Sequence, residues 1–119
     1  MRLVFLVLAF CLSALPLAAQ TLSLSRDPEW VDITPIPEGD PRLRAEVEGG
    51  QFFLLSDHQF HWEGEVKQSW NRVVAEVTDR AGLEELATIQ IDFDPSHETA
   101  SLTRLFIHRG AEVIDLSDK

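Results

Sequence analysis

An all-β module, antiparallel and sandwich-like, is the fold class this sequence predicts, and three observations predict it. Ala87 to Pro95 alternates Ala87, Ile89, Ile91 and Phe93 with Thr88, Gln90, Asp92 and Asp94, the period of two expected of a half-buried strand. Gln51 to Trp62 alternates over a longer run, and beyond Gly64 a second β-rich run extends from Val66 to Thr78. Ser101 to His108 and Ala111 to Leu116 flank Gly110, which can take positive φ without steric cost and so marks a hairpin. Five strands and at most one short helix are expected.

Taken in order, residues 1–19 read as a secretory signal peptide. Met1 and Arg2 give a positive start, Leu3 to Leu15 is apolar apart from Ser13, and Pro16 to Ala19 closes the run ahead of cleavage before Gln20. The apolar run is shorter than the about 20 residues of a membrane span. The mature product is therefore expected to be exported, periplasmic or secreted, with no membrane association after cleavage. Cys11, the only cysteine, leaves with this segment, so no disulfide can form in the mature chain. Ala9-Phe10 in front of it lacks the small residue that lipidation requires. Loss of Arg2 leaves nine basic residues against 20 acidic ones, a formal net charge of −11. A chain of that charge, without a Lys/Arg cluster, repels phosphate backbones and anionic lipid, and nucleic acid is not an expected partner. The acidity is spread along the chain as a solvated surface.

Residues 20–50 are expected to form an extended, Pro-rich leader. Gln20 to Arg26 reads as a polar linker. Pro28, Pro35, Pro37 and Pro41 exclude a helix interior or a central strand, and Trp30, Val31, Ile33 and Ile36 are apolar enough to dock the segment as a strap. Arg42 to Glu48 is ambiguous, and Gly49-Gly50 punctuates it. Residues 51–119 form the antiparallel module. In its first strand Phe52, Leu54, Ser56, His58, Phe60 and Trp62 share one face, and Phe53, Leu55, Asp57, Gln59 and His61 the other. Glu63-Gly64-Glu65 is the turn. The second strand changes phase between Trp70 and Val73, which a β-bulge near Asn71-Arg72 would reconcile. Asp79 to Gly82 is a turn signal, and Leu83 to Leu86 makes one helical turn. Pro95 ends the next strand, and the chain turns through Ser96 to Thr99.

Arg72-Val73-Val74 on a long strand, Gly82-Leu83-Glu84-Glu85 at a turn, the Ile91 to Pro95 segment I-D-F-D-P, and the closing R-G-x-x-V-I-D from Arg109 to Asp115 together resemble the start of domain-of-unknown-function family 3857. This bacterial exported module usually precedes a transglutaminase-like, papain-fold domain. The resemblance covers Trp30 to Asp118. It departs from the family at Arg109, where Asp or Asn commonly precedes the hairpin glycine, and in stopping at Lys119 where the family module continues. It implies a module incomplete at its C-terminus, whose partner is a downstream transglutaminase-like domain or another protein.

Catalysis of the transglutaminase type needs a thiolate, a histidine to activate it and a carboxylate to orient the histidine. The mature chain has no thiol, and no G-x-S-x-G elbow offers a serine instead. The chain is read as noncatalytic and without a cofactor. Asp92, Asp94 and Glu98, near His97, are the densest group of possible metal ligands, yet three carboxylates fall short of the about six to eight oxygens Ca²⁺ takes. His58 and His61 point to opposite faces, and His58 is expected to be a hydrogen-bonded core or edge histidine. Trp30, Trp62 and Trp70 are expected in the core, whereas a glycan site would need two of them exposed on one flat face. If strands are missing after Lys119, Leu105, Phe106, Ile107, Val113, Ile114 and Leu116 form an uncovered apolar partner edge. The expected function is a noncatalytic module packing against a transglutaminase-like domain or other protein. The alternatives are a free-standing carbohydrate- or peptide-binding domain, or a truncated reading frame without independent function.

Overall fold

The structure, a computed structural model, describes residues 22–118. The signal peptide read over Met1 to Ala19, with Cys11, lies outside the described residues. Strand makes up 38% of the described residues and helix 12%, so the fold is β-rich. In order, the elements are β1 (Ser23–Leu24), α1 (Pro41–Ala45), β2 (Gln51–Glu63), β3 (Val66–Val77), α2 (Arg80–Leu86), β4 (Ser101–Leu102), β5 (Phe106–Arg109) and β6 (Glu112–Asp115). Their ladders are three two-stranded pairs: β2 with β3, β5 with β6, and β1 with β4. The five-strand antiparallel expectation is thus corrected, because β1 and β4 pair in parallel.

The β2–β3 hairpin is the frame. Glu63 pairs with Val66 across the two-residue loop Gly64-Glu65. Gly64 has φ +61 and Glu65, like every other non-glycine among the described residues, lacks positive φ, the requirement of a type II′ turn with glycine first. The bulge lies in β2 and not near Asn71-Arg72. Phe53 opposes Ala75 and Leu55 opposes Val74, so Leu54 is the extra residue. One inserted residue reverses the faces. Phe52 and Leu54 before the bulge turn to the same side as Leu55, Asp57, Gln59 and His61 after it, and all six are shielded at least in part.

The chain from Trp30 to Asp40 crosses that side, held by side chains and not by a ladder. Trp30 stacks on His61 with centroids 5.3 Å apart, and its indole N–H donates to Gln68 Oε1 at 2.7 Å. Two residues on, Gln59 accepts from Asp32 N at 2.9 Å and donates to Asp32 O at 2.7 Å, standing in for a neighbouring strand. After two more, Thr34 O accepts from Arg72 at 2.7 Å. Asp40 then caps α1, accepting from Arg42 N at 2.8 Å, with Pro41 in the first turn where its missing N–H costs nothing. Arg44 of this helix ends on Glu76 at 3.0 Å and lies over the Phe52 ring, covering a cross-strand pair of the hairpin.

Gly50 and Gly82 meet at the hairpin base. Asp79 caps α2 by accepting from Gly82 N at 3.0 Å, and Thr78 N donates to Gly50 O at 2.9 Å. A Cβ on Gly82 would overlap the Gly50 carbonyl, so only glycine lets α2 seat here. α2 extends further than the single turn expected from Leu83.

Three expectations fail around this frame. Ser23-Leu24, read as part of a linker, forms β1: Ser25 N donates to Leu102 O at 3.0 Å and Ser25 shares a 2.9 Å hydroxyl contact with Ser101. Ala87 to Pro95 is not a strand. Residues 88–94 have no ladder partner, and Ile89 and Ile91 stand exposed. Alternation makes a segment suited to a sheet, but only a neighbour with free N–H and C=O groups makes it a strand. Lastly, Trp70 at 7% exposure is the only buried large apolar side chain among the described residues. Trp62 is exposed and Trp30 half-buried, so the expected three-tryptophan core reduces to one.

Trp70→Ala is therefore expected to remove about 3 to 5 kcal/mol, most of the stability of a small domain, and to abolish a cooperative urea transition. Trp62→Ala should cost under about 1 kcal/mol when followed by far-ultraviolet circular dichroism in dilute solution. Equal losses from the two substitutions would contradict the single-tryptophan core.

Candidate partner interface

Among the described residues, none covers the aromatic side of the hairpin opposite the strap. The ladder places Trp62 beside Lys67, Phe60 beside Ser69, His58 beside Asn71, Ser56 beside Val73, Phe53 beside Ala75 and Gln51 beside Val77 on this face. Phe53, Phe60, Trp62 and Val73 are each at least half exposed. Phe60 and Trp62 lie 6.0 Å apart, and the Lys67 ammonium sits over both rings at 5.1 and 5.6 Å. The face carries no carboxylate. Asp57 and Glu76 point to the strap side with Arg72 and Arg44, and Glu63 shares that phase.

His58 stands on this open face, exposed and bonded to Ser56 Oγ at 3.2 Å, so of the expected hydrogen-bonded core or edge histidine the edge alternative holds and the core one does not. The predicted partner-edge residues divide between two faces of the β5–β6 hairpin. Ile107 pairs with Ile114 on one face, and Phe106 and Val113 occupy the other; Leu105 and Leu116 continue the pairing through Leu116 N to Leu105 O at 2.8 Å. Phe106, Ile107 and Val113 are exposed, while Leu105, Ile114 and Leu116 are partly covered.

The acidic group is occupied with its own turn. Asp94 accepts from Ser96 N at 2.9 Å and Ser96 Oγ at 2.6 Å, bonds that hold its carboxyl below the ordinary value, and Asp94 N donates to Glu98 at 2.8 Å. Asp92 accepts from Gln90. No cluster of three metal-ligating side chains forms among the described residues.

Asp27 was missed by every pattern in the sequence. Its carboxylate accepts the Trp70 indole N–H at 3.2 Å, pairs with Arg104 and is bonded by Thr103, at the wall of an open concavity of about 450 Å³ that Arg26, Phe106 and Ser117 also line. Partial burial raises its pKa, but the Thr103 bond, the Arg104 charge and the Trp70 bond together outweigh it and lower the value. The one sequence signal was a tryptophan destined for burial, because its N–H needs an acceptor.

Compared with known proteins, the chain matches no family model, no curated protein and no solved structure. Among the described residues, no helix is long and apolar enough to cross a membrane.

The lowered Asp27 pKa sets a pH dependence. A depressed carboxyl contributes stability above its unfolded value, here about 3.8, and loses it as pH falls through the folded value. Asp27→Asn should therefore be less stable than the parent by about 1 to 2 kcal/mol at neutral pH, with the two melting temperatures converging in acid below that window. A gap that stays constant into strong acid would show that the Asp27 charge contributes nothing.

Proposed function

We propose that this chain is a noncatalytic, exported β module whose uncovered hairpin face packs against a folded polypeptide. The partner then supplies the second layer that makes the arrangement a β-sandwich. That is the role implied by the resemblance to family 3857, where the partner is a transglutaminase-like domain or another protein. The observation that carries it is the two-sided hairpin, with one side shielded by the chain's own strap and the other presenting exposed aromatic and aliphatic side chains. A sheet with one bare apolar face is stable in water only when something covers it. The carbohydrate reading is less well supported. A stacking platform needs two exposed tryptophans on one face, but Trp62 stands alone on the open side, and on the strap side Trp70 is buried and Trp30 is stacked on His61.

A photo-reactive phenylalanine analogue in place of Phe60, irradiated in the producing cells, is expected to yield an adduct with a polypeptide. The same analogue at Val66, exposed but on the strap side, should yield far less. Equal or absent adducts at the two positions would sink the interface. Purified protein should incorporate no amine and hydrolyse no peptide above buffer, and turnover that survives repurification would overturn the noncatalytic reading.

A further inference from the structure

We infer that the occupant of the open hairpin face is a second copy of this chain, laid antiparallel so that two hairpins stack face to face; this rests on the interaction reading above and names its partner. Charge selects this face. A chain with formal net charge −10 cannot bring most of its surfaces together with themselves without opposing carboxylates. On the hairpin, strand register puts Asp57 and Glu76 on the strap side, Glu76 paired with Arg44, leaving Lys67 as the one formally charged side chain on the open face. Two copies can therefore meet there without acid against acid.

Orientation follows from Lys67. Parallel stacking would set the two Lys67 ammonium groups together, whereas antiparallel stacking sends each to the other hairpin's base. Nine residues separate Trp62 from Phe53, about 30 Å at the rise of a strand, well beyond the roughly 10 Å over which salt leaves charges coupled. The same arrangement brings the aromatic pair Phe60 and Trp62 of each copy over the smaller Val73 and Val77 of the other. Large residues then fill the space above small ones, as facing sheets about 10 Å apart require.

Area supports a dimer of ordinary size. Phe53, Phe60 and Trp62, at 59%, 50% and 63% exposure, each still offer more than half or about half of the roughly 150–250 Å² an aromatic can bury. With Val73, Val77 and the short polar residues between them, the face is on the order of the 800 Å² per partner of a standard interface.

Sedimentation of the purified full chain over about 1 to 100 μM, the weak end for interfaces of this size, should show a reversible monomer–dimer equilibrium. Phe60→Ala and Val73→Glu should each weaken it at least about tenfold, the first by removing an aromatic anchor and the second by placing an unpaired carboxylate in the contact. Val66→Glu should leave it within about twofold. Both positions of the contact are exposed, and unchanged circular dichroism confirms that the variants fold. A monomer across the whole range, or a dimer indifferent to both face substitutions, would overturn the inference. The Phe60 cross-link separates the two readings: an adduct with another copy supports the dimer, an adduct with a different polypeptide overturns it while the interaction reading stands, and no adduct overturns both.

Discussion

Trp70 can be buried because its indole N–H has the Asp27 carboxylate to donate to, and that carboxylate can be shielded because Arg104 and Thr103 answer it. An indole N–H or a carboxylate taken from water without a partner costs several kcal/mol. Each of these groups therefore makes the burial of the others tolerable. The three contributing segments lie far apart in the chain, so this small polar cluster joins the start of the strap, the middle of the hairpin and the C-terminal region. The parallel β1–β4 pair reinforces the same closure over a separation of 77 residues between Ser23 and Ala100. With so little buried apolar surface elsewhere, a polar cluster does the organising that a hydrophobic core does in larger domains.

The hairpin owes its two different sides to one inserted residue. Had β2 continued in register through Leu54, Phe52 and Leu54 would lie with Phe60 and Trp62, and Phe53 would face the strap in their place. The bulge sends Phe52 and Leu54 to the strap, where Gly39 packs against both of them. Gln59, Asp57 and Arg72, which share that side beyond the bulge, lie beneath the strap as hydrogen-bonding partners. Those side chains do for the Pro-rich segment what a ladder could not, since proline has no N–H to give. The opposite side keeps its aromatic residues and no acids, and the proposed interface rests on that division of charge.

Much of the local structure was legible from residue order. The β2–β3 hairpin followed from alternation on both sides of Gly64, and the β5–β6 hairpin from Gly110, because a tight turn imposes backbone conformations that few residues accept. The existence of a bulge was legible too, from the phase change across Trp70 to Val73. Its location was not. A phase mismatch between paired strands is relieved equally by an extra residue in either one, and only the register shows that Leu54 supplies it.

What the residues determined by themselves was therefore short-range: turns, strand segments, the acidic balance and the lack of a thiol outside the N-terminal segment. Tertiary structure decided which segments found partners. Ile89 and Ile91 had the better strand pattern but no neighbour, while Ser23-Leu24, with almost no pattern, pairs with Ser101-Leu102. Side-chain alternation is a property of one segment, whereas a ladder needs two backbones brought together, and the closure entropy of that meeting is repaid by contacts outside both. The same reason hid the fate of the tryptophans. Trp62 and Trp70 sit on the same hairpin with equal claims to a core, and only the passage of Asp27 and the strap over one side buried the second and left the first in the open.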